Sequence, residues 1–287
     1  MATPTATDPK LELLRAILRG LGSVIVCYSG GVDSAFVLAV AHQELGERAV
    51  GMTAVSPSLA PSERDASIEV AKQIGAKHVL VESSEIEDES YQANNVDRCF
   101  FCKSELYRIS EAKSREWAIP NVVNGTNLDD LGDYRPGLEA AKNRAVRSPL
   151  VEAEFTKADV RRCAAMVGLS VWDKPAAACL SSRIPFGTRV TRERLLQIGS
   201  LESDLHAMGL RQVRVRWHEL GEAKGAKPGS IARIEVARDE LVLAFDQRDA
   251  IVSAGKKHGF AYVTLDLQGY RLGSHNEVLV GKSLRIL

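Results

Sequence analysis

This sequence has no excess of charge of either sign. It carries 37 basic and 37 acidic side chains, so its formal net charge is zero. Proteins that bind long nucleic acids usually present a basic surface, so the balance argues against that function but leaves room for a local basic cleft. Long hydrophobic runs are missing too, since none approaches the ~20 apolar residues that cross a bilayer. The polar start of the chain lacks the apolar segment of a signal peptide. These absences predict a cytoplasmic protein with no membrane partner.

Cysteines are few, and five of them in a chain expected to be cytosolic argue against a disulfide framework. Cys27 lies in an apolar run and Cys163 on a predicted helix, as is typical of small core residues. Cys99 and Cys102 form a Cys-x-x-Cys pair, which alone is compatible with zinc binding, redox chemistry or a structural role. Together with Cys179, the pair also suits a [4Fe–4S] cluster that leaves one iron open.

Hydrophobic residues make up 45% of the chain, enough for a sizeable core. In the first half, compact apolar runs alternate with amphipathic segments. The pattern predicts strands at 23–28, 49–55, 78–81 and 121–124, and helices at 11–20, 34–45, 61–74, 103–117 and 157–168. Residues 83–101 are acidic and irregular. Such alternation predicts an α/β fold, a doubly wound and mostly parallel sheet with helices on both faces.

Residues 173–190 fit no regular element, and we place a domain boundary near their end. The predicted domains are 1–185, which contains the parallel sheet, and 186–287, a smaller α+β domain for substrate binding or oligomerisation. In the smaller domain the pattern predicts helices at 191–209 and 238–259, strands at 211–216, 231–237 and 261–267, and an exposed loop at 221–230.

The sequence Ser-Gly-Gly-Val-Asp-Ser at 29–34 lies between the first predicted strand and a helix. Paired glycines allow a tight turn that points several amides at one spot, and the helix N-terminus favours an anion. Ser29 and Ser34 add hydroxyl donors, whereas Asp33 is better suited to position Mg²⁺. An ordinary glycine-rich turn is the alternative. The hexad resembles the signature of the PP-loop (N-type) ATP pyrophosphatases, which implies that ATP is cleaved between its α- and β-phosphates.

The segment 176–185 surrounds Cys179 with small residues, hydroxyls and Arg183, whose charge would lower the thiol pKa and favour a nucleophilic thiolate. Near the end of the fourth predicted strand, Asp129 or Asp130 could hold Mg²⁺ or simply begin a solvated helix. Arg135 could meet a phosphate through its fork of donors. Arg214 and Arg216 alternate with valines on a strand whose default interpretation is a solvated face.

The chain resembles the LarE family of ATP-dependent sulfur transferases of nickel-pincer cofactor synthesis. The matching segments are 29–34, 98–103, 124–130, 134–137, 178–185 and 232–236. The resemblance implies adenylation of a carboxylate on a pyridinium biscarboxylate mononucleotide, followed by displacement of AMP by sulfur to give a thiocarboxylate.

The same resemblance implies two possible sulfur sources. Either Cys179 gives up its own sulfur, or Cys99, Cys102 and Cys179 hold a [4Fe–4S] cluster that passes on a bound sulfide. With all three cysteines present, this chain resembles the cluster-bearing members. Arg214 and Glu235 would bind the phosphate end of the substrate or a metal. We also expect a homo-oligomer.

The predicted site therefore combines catalytic, nucleotide-binding and metal-binding residues. The catalytic residues are Cys179, Asp33 and Arg183, and the metal ligands are Cys99, Cys102 and Cys179. The binding residues for ATP, Mg²⁺ and substrate are Ser29, Gly30, Gly31, Val32, Ser34, Ala54, Gly125, Thr126, Asn127, Arg135, Arg214 and Glu235.

Alternative functions stay open. A tRNA thiolase of the PP-loop class would pair the same loop with three cysteines, but usually has lysine where Val32 lies and a basic face. An ammonia-dependent synthetase resembling NAD synthetase would make the cysteines incidental. A nucleotide-sensing module without catalytic activity is a third class.

Overall fold

The chain folds into two compact units. The structure, a computed structural model, describes residues 8–132, 136–175, 177–221 and 229–271. Unit 1 comprises Met1–Tyr91 and Asn95–Ala177, and unit 2 comprises Gln92–Asn94 and Ala178–Leu287. The chain thus passes into unit 2 before residue 185, where the sequence placed the boundary, and the short segment Gln92–Asn94 also belongs to unit 2.

Unit 1 contains a four-stranded parallel sheet with the strand order β3-β2-β1-β4. Its strands are β1 (Val24–Cys27), β2 (Ala49–Val55), β3 (Lys77–Glu82) and β4 (Asn121–Val123). Its helices are α1 (Pro9–Leu21), α2 (Val32–Leu45), α3 (Pro61–Ile74), α4 (Glu89–Gln92), α5 (Arg98–Trp117), α6 (Pro136–Asn143), α7 (Pro149–Glu152) and α8 (Lys157–Met166). The predicted α/β class is confirmed, because strands and helices alternate and every pair in this sheet is parallel.

Local sequence signals explain where several of these helices begin and end. The Asp8 carboxylate accepts from the amides of Lys10 and Leu11 at the start of α1. Thr156 and Asp159 form the predicted reciprocal capping box of α8. α2 and α3 are each followed by a glycine with positive φ, as the pattern indicated.

The core of unit 1 surrounds β1 and α2. All four β1 residues are buried, and α2 is buried on nearly every side, which explains its almost continuous apolar sequence. Cys27 and Cys163 are core residues, as predicted. Burial raises the pKa of the Cys163 thiol to about 11 and also raises that of Cys27, so both thiols stay protonated at neutral pH.

Two parts of unit 1 differ from the prediction. α5 begins at Arg98, not at residue 103, so the Cys-x-x-Cys pair lies in its first turn instead of an irregular segment. Two hydrogen-bonded turns lie at its start, Arg98 N to Asn95 O at 3.0 Å and Phe100 N to Asp97 O at 2.7 Å. The helices α6 and α7 were not predicted, because both begin at a proline and are short.

Unit 2 contains a three-stranded sheet with the order β5-β6-β7, antiparallel and then parallel. Its elements are α9 (Arg192–Ala207), β5 (Val213–Glu219), β6 (Ser230–Val236), α10 (Leu241–Asp246), α11 (Arg248–Lys257) and β7 (Tyr262–Leu265). The helix predicted over 238–259 is wrong in one respect, because it is divided between α10 and α11 at Gln247. Residues 222–228 of the predicted loop lie outside the described residues. No helix in the described part of the chain is long and apolar enough to cross a membrane.

Candidate active site

The 29–34 turn connects the carboxyl end of β1 to the N-terminus of α2. Ser34 is buried, and its hydroxyl accepts from the Ser29 amide at 3.1 Å and donates to Gly31 O at 3.2 Å. No side chain from the described residues caps the N-terminus of α2. Because the first amides of a helix have no intrahelical acceptor, this turn presents donors of the kind that bind phosphate.

Gly30 adopts a left-handed conformation with φ +75°, and its backbone packs directly against α3. A Cβ at this position would lie 2.9 Å from Ser67 Cβ. The hydroxyl of Tyr28, one residue before the turn, donates to Ser67 O at 2.9 Å and ties α3 to the same place. Glycine is therefore required both by conformation and by space.

We expect Gly30→Ala to lower the free energy of unfolding by about 1–2 kcal/mol from the backbone conformation alone, with a further loss from the contact with Ser67. ATP binding should weaken because the amides of the turn are displaced. Urea denaturation and nucleotide titration measure the two effects.

The matched control is Gly20→Ala in α1, where an added Cβ meets nothing within 4 Å. It should raise stability by about 0.5–1 kcal/mol, because alanine favours a helix over glycine. A Gly30→Ala protein as stable as the wild type would contradict this description of the turn.

The loop after β4 packs backbone to backbone against the same turn. A Cβ on Gly125 would lie 2.7 Å from Ser34 N, so only glycine permits this approach. Thr126 N donates to Asn124 Oδ1 at 3.0 Å, and the buried Asn127 donates from Nδ2 to Asp33 Oδ1 at 3.2 Å. Three of the predicted binding residues, Gly125, Thr126 and Asn127, thus lie at the edge of the sheet where the parallel strands end.

Asp33 lies in the first turn of α2 with its side chain only one quarter exposed. Its second carboxylate oxygen forms an ion pair with the ammonium group of Lys157, the first residue of α8. Sequence reasoning recognised the capping box around Lys157 but missed this partner, because no local signal connects residues so far apart in the chain. The pair balances the charge of Asp33 beside the phosphate-binding turn.

Asp129 and Asp130, the two alternative Mg²⁺ ligands, take part in local capping. Asp129 accepts from Lys157 N at 2.9 Å, and Asp130 accepts from Asn127 N at 3.1 Å. The contacts fasten the short turn Leu128–Gly132 to the start of α8. Ala54 lies half-buried near the end of β2. Because the sheet is parallel, this end lies on the same edge as the ends of β1 and β4. Arg135 lies outside the described residues.

Cys99 and Cys102 lie on one side of the first turn of α5, since residues three apart on a helix are neighbours. Cys99 is exposed and Cys102 is half-buried, and neither forms a disulfide bond with another described residue. This spacing allows two ligands from one helical turn. The described residues contain no group of three or more histidine, cysteine, aspartate or glutamate side chains that could hold a metal ion.

Cys179 lies in unit 2 with its thiol exposed, directly before a short 3-10 turn, Leu180–Arg183. Its carbonyl oxygen accepts from Ser182 N at 3.0 Å, from Ser182 Oγ at 2.7 Å and from Arg183 Nη1 at 3.0 Å. The backbone beside the thiol is therefore held by several donors, which leaves the side chain directed away from a fixed loop.

Arg183 is buried and forms an ion pair with Glu202 of α9, with Nε to Oε1 at 3.0 Å and Nη2 to Oε2 at 3.2 Å. Its remaining nitrogen also donates to Ala178 O at 2.7 Å. Glu202 in turn accepts from the Val215 amide of β5 at 2.8 Å. Arg183 thus shapes the Cys179 loop and anchors it to α9 and β5. Its contact is with the Cys179 backbone oxygen, and its predicted effect on the thiol stays a prediction.

A second group of charges lies on β5 and β6. Arg216 and Glu235 are buried and paired, with Nη2 to Oε2 at 2.9 Å, and Arg233 reaches the other oxygen of Glu235 at 2.9 Å. Arg216 Nη1 also donates to Ser182 O at 2.9 Å. The default interpretation of a solvated strand face is therefore wrong for Arg216, because it is buried and its two Nη groups donate to a buried carboxylate and to the Cys179 loop.

Arg214 lies directly opposite Glu235 in the β5–β6 register, but its own contacts are different. It donates to Val213 O at 2.7 Å and stacks over the Tyr270 ring at 5.3 Å. No carboxylate of the described residues forms an ion pair with it. Burial, followed by the nearby charge of Arg183, lowers the pKa of Arg214. A half-buried cation that forms no ion pair with a carboxylate of the described residues is suited to binding an anion.

The geometry of the turn and its sheet identifies the class of the ATP-binding domain. A parallel sheet with a strand, a glycine turn and a helix N-terminus, and with an aspartate in the first turn of that helix, is the ATP-binding domain of the PP-loop class. The family model for asparagine synthase, which has this domain, matches residues 14–106.

Three relatives extend the comparison over most of the chain. An uncharacterized protein of Synechocystis is 43% identical over 95% of this chain and 98% of its own length. Pyridinium-3,5-bisthiocarboxylic acid mononucleotide synthase of Lactiplantibacillus plantarum is 34% identical over 96% of each chain. The tRNA-specific 2-thiouridylase MnmA of Rickettsia felis is 25% identical over 84% of this chain and 73% of its own. The chain belongs to the LarE family, that of the Lactiplantibacillus synthase.

Proposed function

We propose that this protein is an AMP-forming, ATP-dependent sulfur transferase. It adenylates a carboxylate of a pyridinium biscarboxylate mononucleotide and converts it to a thiocarboxylate, a step of nickel-pincer cofactor synthesis. The observation that carries the proposal is the near full-length similarity to a pyridinium-3,5-bisthiocarboxylic acid mononucleotide synthase. The phosphate-binding turn and the exposed Cys179 supply the two chemical requirements of such a reaction.

The first half-reaction uses unit 1. A substrate carboxylate oxygen attacks the α-phosphorus of ATP, the bond to the bridging oxygen breaks, and pyrophosphate leaves. The turn 29–34 holds the departing phosphates through amides and the hydroxyls of Ser29 and Ser34. Asp33 would hold Mg²⁺, which when bound would neutralise charge on the phosphates, and Lys157 beside it would also balance phosphate charge. Gly125, Thr126, Asn127 and Ala54 line the nucleotide end.

The second half-reaction replaces oxygen by sulfur. A sulfur nucleophile attacks the carbonyl carbon of the acyl-adenylate, the carbon–oxygen bond to AMP breaks, and AMP leaves with the electron pair. Cys179 takes part as the sulfur donor or as a ligand of the group that delivers sulfide. Its exposed thiol and fixed backbone suit both roles.

We propose that Cys99, Cys102 and Cys179 hold a [4Fe–4S] cluster, which when bound supplies an iron site for external sulfide. The support is chemical: none of the three cysteines forms a disulfide with another described residue, Cys99 and Cys102 are one helical turn apart, and Cys99 and Cys179 are exposed. Iron and sulfide analysis after anaerobic purification tests it. Cys99→Ser should lose iron, whereas the core variant Cys27→Ser should keep it. Equal iron in both, or none in the wild type, would remove the cluster.

We expect Arg214→Ala to raise the KM for the carboxylate substrate by on the order of 10²-fold, because a charge-assisted contact to an anion is worth about 1.5–3 kcal/mol. The KM for ATP should change little, since Arg214 belongs to unit 2 and the phosphate-binding turn to unit 1. Steady-state kinetics with each substrate varied in turn measure both.

The control for Arg214→Ala is Arg211→Ala, which removes an exposed arginine just before β5. It should leave both KM values unchanged. A parallel loss for ATP and substrate in Arg214→Ala, or no loss at all, would remove Arg214 from the substrate site.

The products of ATP cleavage test the assignment to this class. Chromatography of a reaction with ATP and the biscarboxylate should detect AMP and pyrophosphate in equal amounts. ADP and phosphate would contradict it.

Thiolation of tRNA is the second candidate function, favoured by the similarity to tRNA-specific 2-thiouridylase. That relative has the lower identity and a longer chain, and the balanced charge of this protein offers little attraction for RNA.

We also propose a homo-oligomer. Unit 2 exposes Val242, Phe245 and Leu267 at 73%, 62% and 86%, and the first two are neighbours on the surface of α10. Light scattering after size-exclusion chromatography decides between oligomer and monomer.

A further inference from the structure

Asn94 is fully buried although it lies in a connection between α4 and α5. Its backbone is left-handed, with φ +56°, a region that asparagine tolerates better than most residues. The side-chain amide donates to three backbone carbonyls, those of Ile184 at 3.2 Å, Pro185 at 2.8 Å and Thr188 at 2.9 Å. One side chain thus holds three backbone carbonyls of the loop that follows the Cys179 turn.

Two backbone hydrogen bonds add to the contacts of the Asn94 side chain. Gly187 N donates to Asn94 O at 3.0 Å, and Val190 N donates to Gln92 O at 2.8 Å. We call this set of contacts, Gln92–Asn94 with residues 184–190, the Asn94 clasp. It explains why Gln92–Asn94 belongs to unit 2 while the residues on either side belong to unit 1.

Each side of the clasp continues into a cysteine. Asn94 is five residues before Cys99, and the intervening chain is a compact turn closed by Arg98 N to Asn95 O at 3.0 Å. Ile184 is five residues after Cys179, and Ile184 N donates to Ser181 O at 3.2 Å within the fastened Cys179 turn. Within unit 2, the clasp therefore fastens the chain that directly follows the Cys179 turn.

We propose that Asn94 is a positioning residue for sulfur delivery, because its side chain fastens the loop that follows Cys179 within unit 2. The role rests on the proposed function, and it concerns the second half-reaction alone. The adenylating turn 29–34 has its own supports in α3, β4 and α8, so the clasp has no part in the first half-reaction.

The test uses the full chain with Asn94→Gly, which removes the amide but keeps a residue that accepts positive φ. The control is Asn95→Gly, the same change at the exposed neighbouring asparagine. We expect Asn94→Gly to slow thiocarboxylate formation by about 100-fold, the effect of a misplaced reacting group, and to leave pyrophosphate exchange unchanged. Asn95→Gly should leave both unchanged.

Hydrogen exchange supplies a readout that does not depend on activity. The amides of Gly187 and Val190 should lose protection in Asn94→Gly and keep it in the control. Unchanged sulfur transfer, or a parallel fall in both half-reactions, would overturn the positioning role. A wild-type protein that exchanges no pyrophosphate would instead overturn the proposed function, and the inference with it.

Discussion

Asp33→Asn should reduce AMP formation by at least about 100-fold, the effect of removing one electrostatic contact from a reacting phosphate site. The amide keeps the shape of the side chain and its contact with Asn127 but removes the charge that pairs with Lys157 and would bind Mg²⁺. Stability should change little, because the carboxylate is partly exposed and its ion pair is of the surface kind. The measurement is pyrophosphate exchange beside a urea denaturation curve.

The control is Asp65→Asn, which removes an exposed carboxylate paired with Arg64 on α3 of the same unit. It should exchange pyrophosphate at the wild-type rate. If Asp33→Asn did so as well, Asp33 would have no role in adenylation and the pairing with Lys157 would be structural.

Cys179→Ser should abolish thiocarboxylate formation, a loss on the order of 10³-fold or more as for a deleted nucleophile, while pyrophosphate exchange continues. The thiol is exposed, and the hydrogen bonds that hold its loop go to the backbone oxygen, so serine leaves the loop intact. Single-turnover assays that follow AMP release and product mass separate the two half-reactions.

The protein mass after turnover then identifies the sulfur source. Delivery of external sulfide predicts repeated turnovers and an unchanged polypeptide. Donation by Cys179 itself predicts one turnover and the loss of one H₂S, which converts the residue to dehydroalanine. Sulfur transfer by Cys179→Ser at the wild-type rate would remove Cys179 from both schemes.

The sequence predicted the strand, turn and helix around the hexad 29–34 well because its signals are local. The hexad 29–34 and the strand before it are contiguous, and the glycines that limit α2 and α3 lie where the pattern changes. The alternation of strands and helices then determined the parallel sheet. Such signals depend on neighbouring residues, and the structure places them as expected.

The contacts that the sequence could not predict all join distant segments. Lys157 pairs with Asp33 across 124 residues, and Asn94 reaches Pro185 across 91. Arg216 was expected on a solvated face because alternation indicates only which residues share a face, not what covers that face. A buried carboxylate such as Glu235 needs nearby cations, and that requirement becomes visible only when the strands are paired.

The start of α5 is a further feature that the sequence did not predict. The residues before the Cys-x-x-Cys pair are polar, and their composition alone indicates an irregular segment. In the structure Asn94 adopts positive φ, and Arg98 N and Phe100 N donate to Asn95 O and Asp97 O, so that the helix begins at Arg98. These local turns depend on a backbone conformation at Asn94 that composition does not reveal.

The most direct test of the account is the mass of the carboxylate substrate after incubation with ATP, Mg²⁺ and sulfide under anaerobic conditions. The account predicts that one oxygen of the pyridinium biscarboxylate mononucleotide is replaced by one sulfur, with one AMP and one pyrophosphate formed for each replacement. An amide in place of the thiocarboxylate when ammonia is present, or an unmodified biscarboxylate beside thiolated tRNA, would contradict it.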